Sequence, residues 1–123
     1  MSPELEKKLL DKYPKLFSSQ QQFWGFECGD GWYDILDHLC GAIKEYTYDK
    51  DDVTVGQAKE KFGKLRFYLS EEDSVIHGMV TLAEYMSGHT CETCGKRGKT
   101  RGGSWMVTLC DEHNEARIAR LAE

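Results

Sequence analysis

The sequence predicts an α+β fold: a helix–helix–hairpin–helix body over residues 1–88, followed by a compact cysteine-bearing module over residues 89–123. Three observations carry this. Apolar residues recur at helical spacing in three stretches before Gly88; Val53 and Val55, then Leu65, Phe67 and Leu69, alternate around the glycine of "KFGK"; and Cys91, Cys94 and Cys110 crowd three of the five cysteines into one short segment. A length of 123 residues suits one compact domain with a small module attached. An apolar fraction of 40% and a charged fraction of 30% exclude a disordered or fibrous chain. No apolar run approaches the roughly 20 residues that cross a bilayer. "MSPELEKKLL" lacks the layout of a signal peptide, so the expected location is the cytoplasm, without membrane association.

Ser2-Pro3-Glu4 opens the first helix with a hydroxyl cap, a proline at the first helical position and an acid where the helix dipole favours one. Leu5, Leu9 and Leu10 form its inner face, and Pro14 ends it by steering Tyr13 out of the helical region. "SSQQQFWGFECGDG" reads as a loop whose aromatic residues pack it onto the body. Asp30 is the expected cap of a second helix from Trp32 to Tyr46, with Ile35, Leu36, Leu39, Cys40 and Ile43 as its buried stripe. "YDKDD" is a polar turn. Two antiparallel strands follow, 53–61 and 65–70, joined at Gly63. Ser70 with Asp73 resembles a capping box for a third helix, 73–87, which turns Val75, Ile76, Met79, Val80, Leu82, Ala83 and Met86 inward. Gly88 stands where a left-handed C-cap belongs.

The module reads Cys91-x2-Cys94-x15-Cys110-x2-His113. An odd number of cysteines in a chain lacking an export signal argues against a disulfide framework, and Cys28 and Cys40 are expected to stay reduced. Zinc takes four nitrogen or sulfur ligands in a tetrahedron, and a pair two residues apart can chelate it from one turn. Gly95 lets the chain fold back over the thiolates. Arg101 to Leu109 then form a short hairpin with Gly102-Gly103 at its turn and Trp105, Val107 and Leu109 alternating. Cys110 and His113 begin a last helix, one turn apart on the same face. Knuckle, hairpin and helix in this order resemble a treble-clef zinc finger. His89 is the rival fourth ligand; His113 is preferred because His89 would crowd Cys91. Four protein ligands, three of them thiolates, close the shell, so the expected Zn2+ is single and structural, and no catalytic residue is assigned.

Net charge is −5, with 10 basic against 16 acidic residues over 1–88 and 6 against 5 over 89–123. The acidic body favours a protein partner over nucleic acid. Lys96, Arg97, Lys99 and Arg101 nevertheless form a basic run near Trp105, a combination able to grip phosphate and stack a base, or to meet a partner protein. A solvated loop offsetting the anionic metal centre explains the same residues more plainly. Glu27, Asp30 and Trp32, from "FECGDGWYD", are a second candidate partner surface. With Asp34 they suggest a divalent-metal site or a nucleophilic Cys28 only weakly, because caps and turns account for them. Gln57-x-Lys59 resembles the catalytic pair of some nucleases, but the nearby acids Asp49, Asp51 and Asp52 precede the same strand, and a charged outer hairpin face is the simpler reading.

Taken together, "FWGFECGDGWYDILDHLC", "KEKFGKLRFYL" and "CETCGKRGKTRGGSWMVTLCDEH" resemble a family of small uncharacterised bacteriophage and prophage proteins over residues 23–117. The resemblance implies a viral protein acting in the host bacterial cytoplasm, where proteins of this size often bind and inhibit a host protein, defence nucleases included. The expected function is a zinc-stabilised, non-enzymatic protein-binding module that inhibits a host defence protein. One alternative is a nucleic-acid-binding accessory or regulatory protein using the finger and its basic loop. The other is a metal-dependent, nuclease-like enzyme.

Overall fold

Four helices and two small sheets make up the described residues of the computed structural model, which are 1–18, 23–49 and 53–123. In chain order they are α1 (Pro3–Lys12), β1 (Phe26–Glu27), α2 (Tyr33–Tyr46), β2 (Val55–Lys61), β3 (Lys64–Leu69), α3 (Ser74–Ser87), β4 (Lys99–Arg101), β5 (Val107–Leu109) and α4 (Asp111–Leu121). This is the expected α+β class. The start of the aromatic loop and the end of the "YDKDD" turn lie outside the described residues.

Ser2 caps α1 by accepting from the Leu5 amide, and the helix ends at Lys12. Asp30 does not cap α2. It opens a 3-10 turn over Asp30–Trp32, and its carboxylate accepts from the Ser2 amide at 2.6 Å, fastening the N-terminal helix to this loop. The α2 stripe is as expected, with Ile35, Leu36, Leu39, Cys40 and Ile43 all buried. It packs with Trp32, Val55, Ala58, Leu65 and Phe67 into the body core. Each large apolar side chain fully buried there contributes about 1.5–3 kcal/mol.

The aromatic loop contributes a strand that the sequence pattern did not indicate. β1 lies parallel to β2, with Phe26 opposite Ala58 and Glu27 opposite Lys59, giving sheet order β1-β2-β3. Two residues are too short for any periodicity to register. The loop does pack on the body: the rings of Phe17, Phe23 and Phe26 have centroids 4.9–5.4 Å apart.

β2 and β3 pair antiparallel from Lys61↔Lys64 back to Val55↔Leu69. Their two-residue turn, Phe62-Gly63, has φ of 54° and 81°. Positive φ at both positions is the requirement of a type I′ hairpin turn, which matches the twist of the strands.

α3 departs from expectation in three ways. Asp73 is its cap, accepting from the Ile76 amide, whereas the Ser70 hydroxyl accepts from the Thr54 amide across the sheet. Ser70 therefore belongs to the strand end, and no capping box forms. Gly88 has φ −71°, ordinary helical backbone, and its lack of a side chain instead makes room for Lys64. Only Ile76, Val80, Ala83 and Ser87 are buried, an i, i+4, i+7, i+11 stripe. Val75, Leu82 and Met86 are exposed and Met79 is half-buried. A single helix face about 100° wide cannot turn all seven apolar residues inward.

Candidate metal centre and the finger that carries it

Cys91, Cys94, Cys110 and His113 come together, each offering one ligand atom, with all four atoms within 4.8 Å of one another. They could hold a metal ion, and among the described residues they are the one cluster of His, Cys, Asp or Glu found to do so. Cys91 and Cys94 stand on the knuckle. The chain doubles back there through Gly95, whose φ is 81°, and the Cys91 amide donates to the Lys96 carbonyl. β4 and β5 form the hairpin. Cys110 is the N-cap of α4, its sulfur accepting from the His113 amide at 3.5 Å, so that His113 sits one turn into the helix. Knuckle, hairpin and helix are the zinc-finger-like arrangement that the spacing predicts.

Three of the donor separations are short. Cys94 Sγ lies 3.8 Å from Cys110 Sγ, and His113 Nδ1 lies 3.7 Å from Cys91 Sγ and 3.2 Å from Cys110 Sγ. Burial opposes ionisation of Cys91, but amides of Cys110, Cys94 and Thr93 aimed at its sulfur prevail and bring the thiol down to about 6. Those amides favour thiolate, the form a metal binds. His89 is not a ligand. It is exposed, contacts the Tyr85 carbonyl through Nδ1 and stacks on the Tyr85 ring at 4.7 Å.

The finger is seated on the body through the loop that the sequence offered as a partner surface. Trp32 is fully buried, so it cannot belong to such a surface; its indole N–H donates to the Thr90 carbonyl at 2.9 Å. The Gly31 amide donates to the Glu92 carbonyl and the Gly29 amide to the Glu92 carboxylate. A Cβ on Gly31 would fall 2.1 Å from the Cys91 carbonyl oxygen and 2.6 Å from the Gly95 amide nitrogen. "GDG" is thus the cradle of the knuckle: its two glycines leave room for backbone from the other end of the chain. Glu27 and Asp30 do remain at the surface. Cys28 is buried among these contacts, and burial pushes its thiol up to about 12, so it is no nucleophile.

A second seat joins the two hairpins. Thr108 is fully buried; its hydroxyl donates to the Gly63 carbonyl and pairs with that of Thr100. The alternation of Trp105, Val107 and Leu109 would leave Thr108 on the outer face, but that face is covered by the body hairpin. β4 begins at Lys99 rather than Arg101, and Trp105 lies in the loop between the strands.

The basic run divides on inspection. Lys96, Arg97 and Lys99 are exposed. Arg101 is committed: its guanidinium donates to the Leu109 carbonyl and to the Asp111 carboxylate, which it holds below the usual carboxylate range. Arg117 of α4 donates to the Trp105 carbonyl, fixing the loop while the indole stays 68% exposed. Gln57 and Lys59 lie on β2 opposite Tyr68 and Arg66, with Glu27 beside Lys59; Asp51 and Asp52 are outside the described residues.

Neither a family model, a curated protein nor a solved structure matches this chain. No helix among the described residues is long and apolar enough to cross a membrane.

Proposed function

We propose that the chain is a zinc-stabilised, non-enzymatic protein-binding module that meets its partner at the cleft between the body hairpin turn and the finger loop. The observation that carries this is Phe62. It occupies a left-handed position, φ 54°, where Asn or Asp would be nearly unstrained, yet it is aromatic and 64% exposed. A non-glycine residue there costs on the order of 1 kcal/mol, and no burial of the ring offsets it. Trp105 and Met106, also exposed, line the same cleft of about 390 Å3 with Phe62 and Lys61. Aromatic and methionine side chains gathered at one wet site are the material of interface centres.

Zinc is the metal that three thiolates and an imidazole favour. Tetrahedral bonds of about 2.3 Å to sulfur and about 2.0 Å to nitrogen place donors roughly 3.5–3.8 Å apart. The separations of 3.7 and 3.8 Å agree with that, and the Cys110–His113 pair, at 3.2 Å, is a little tighter. Four protein ligands leave no position for a reacting water, which supports a structural ion. The resemblance to phage and prophage proteins makes the partner a protein of the bacterial host, a defence nuclease first among the expected targets, met in the host cytoplasm. A body carrying excess acid suits the basic surface of such an enzyme.

The test is capture from nuclease-treated host lysate by the wild type and by a Phe62→Asn/Trp105→Ala variant. One stoichiometric partner, held by the wild type and lost by the variant at unchanged zinc content, is the expected result. Equal capture by both, or none, overturns the reading. The exposed Lys96, Arg97 and Lys99 favour nucleic acid as the second reading. It gains if retention on DNA or RNA falls steeply with salt and vanishes when these three are changed to Ala.

A further inference from the structure

The body hairpin turns only one face to the core, burying Val55, Ala58, Leu65 and Phe67 there. The register sets the other face: Gln57 stands opposite Tyr68, Lys59 opposite Arg66 and Lys61 opposite Lys64. Two of these three pairs oppose like charges, an arrangement that weakens a hairpin. Among the described residues none of the four cations forms an ion pair, whereas Lys12 and Arg101 elsewhere find Asp37 and Asp111. Glu27, opposite Lys59 on β1, is the one acid among the strand positions of this face. Lys61 and Lys64 are exposed, Lys59 and Arg66 half-buried, and the Tyr68 ring is 47% exposed beside them. We infer that this face is a platform for single-stranded nucleic acid, the cations meeting its phosphates and Tyr68 stacking on a base.

Charge complementarity selects a polyanion. The chain carries 21 acidic residues against 16 basic ones, yet this face gathers four bases and a single acid. A polyanion laid on it releases its counterions and relieves the cross-strand repulsion. An acidic peptide is the poorer occupant. It would gain main-chain bonds only by adding as a strand, and the sheet edges are closed. The Leu65 amide donates to Ser87 Oγ and the Phe67 amide to Glu84 Oε2; on the far side the Phe26 amide donates to the Glu6 carboxylate. Ion pairs alone at an exposed surface are worth little. A base, in contrast, finds a ring: Tyr68 lies on the same face, next along β3 from the Lys59–Arg66 pair. Stacking of a base on an aromatic ring needs no particular sequence, but it does need an unpaired base. The platform stands apart from both readings above. It shares only Lys61 with the Phe62–Trp105 cleft, and nothing with Lys96, Arg97 and Lys99.

Fluorescence anisotropy of a labelled oligothymidylate of about 12 nucleotides, titrated with the zinc-loaded protein, decides the matter. At about 0.1 M salt the expected Kd is roughly 1–100 μM. Log affinity is expected to fall against log salt with a slope of about −2 to −3, as for three or four phosphates of a single strand. Arg66→Glu is expected to weaken binding about tenfold or more and to flatten that slope by about 1. The same substitution sets a carboxylate opposite Lys59, so it is expected to raise the denaturant midpoint, a gain and a loss that a merely structural role would not combine. Tyr68→Ala is expected to weaken binding about tenfold with the slope unchanged. Circular dichroism and zinc content should match the wild type in both variants. Trp105→Ala, and the joint change of Lys96, Arg97 and Lys99 to Ala, should leave the affinity as it is, so that failure here is separable from failure of either reading above. Absence of binding, binding indifferent to Arg66→Glu and Tyr68→Ala, equal binding of a duplex, or displacement by polyglutamate at equal charge overturns the inference.

Discussion

The body and the finger are held together by different means. The body buries a continuous core from Leu9 and Tyr13 through Trp32, Leu36 and Ile43 to Phe67 and Val80. The finger's apolar cluster is Cys91, Leu109 and Cys110, with Val107 partly covered. Two of those three buried residues belong to the cluster that could hold a metal ion. At about 1.5–3 kcal/mol per large side chain, the body can hold its shape by burial, whereas one leucine cannot order a knuckle, a hairpin and a helix. What the finger lacks in core is left to its two seats on the body and to a metal ion that its four Cys and His side chains could hold. The lesson is that its stability has external sources, each removable on its own.

Removal of the metal is expected to have the largest effect. Chelation, or Cys110→Ser, is predicted to unfold β4, β5 and α4 and leave α1, α2 and α3 folded, because a comparable small site supplies on the order of 10 kcal/mol. Elemental analysis and resolved backbone NMR check both halves. Stoichiometric zinc in Cys110→Ser would refute the ligand assignment, and collapse of the body would refute the division of labour.

Next comes the seat. Gly31→Ala places a methyl group against knuckle backbone and is predicted to lower stability by about 2–4 kcal/mol, with the loss felt in the finger. Gly102→Ala, where a Cβ would meet nothing, is predicted to stay within about 0.5 kcal/mol. Equal midpoints for the two in denaturant would remove the cradle from the account.

The smallest expected effect is chemical. Burial holds the Cys28 and Cys40 thiols well above the ordinary cysteine range. A raised thiol pKa keeps the group protonated until pH approaches that value, so neither should be alkylated at pH 8 in the native holoprotein, and both should react once the chain unfolds. Mass spectrometry of labelled peptides reads this directly. Rapid native labelling of Cys28 would mean that the knuckle lifts off its cradle.

Legibility in the sequence followed the range of the interactions. The α1 cap, the α2 stripe and the hairpin turn are written in residues a few positions apart, and these readings hold in the structure; the two Cys/His pairs are each legible locally too, and the structure brings all four residues close enough to hold a metal ion. What escaped was written across the chain. Trp32 and the glycines of "GDG" answer to Thr90, Cys91 and Glu92, and nothing near residue 30 announces that. Thr108 looks like an outward strand residue until Gly63 is brought against it. Asp30 and Ser70 look like helix caps and are bonded to other segments. A tryptophan followed 58 residues later by a knuckle carries no periodicity, so only the folded chain reveals the pair. Phe62, like Tyr48 at φ 55°, is an aromatic where a turn prefers Asn, a local misfit that could have marked a surface of interest from sequence alone.

The short loop from Gly29 to Trp32 has a consequence in time as well as in space. It is bonded to Ser2 on one side and to Thr90 and Glu92 on the other, over separations of 28 to 63 residues. Closures of that length form after helices and tight hairpins have formed. The loop therefore belongs to the last stage of folding and the first of unfolding. Changes there should shorten the lifetime of the native state and leave the rate of reaching it nearly untouched. Persistence of the folded molecule would then be set by four residues that contain neither a metal ligand nor a residue of the partner cleft.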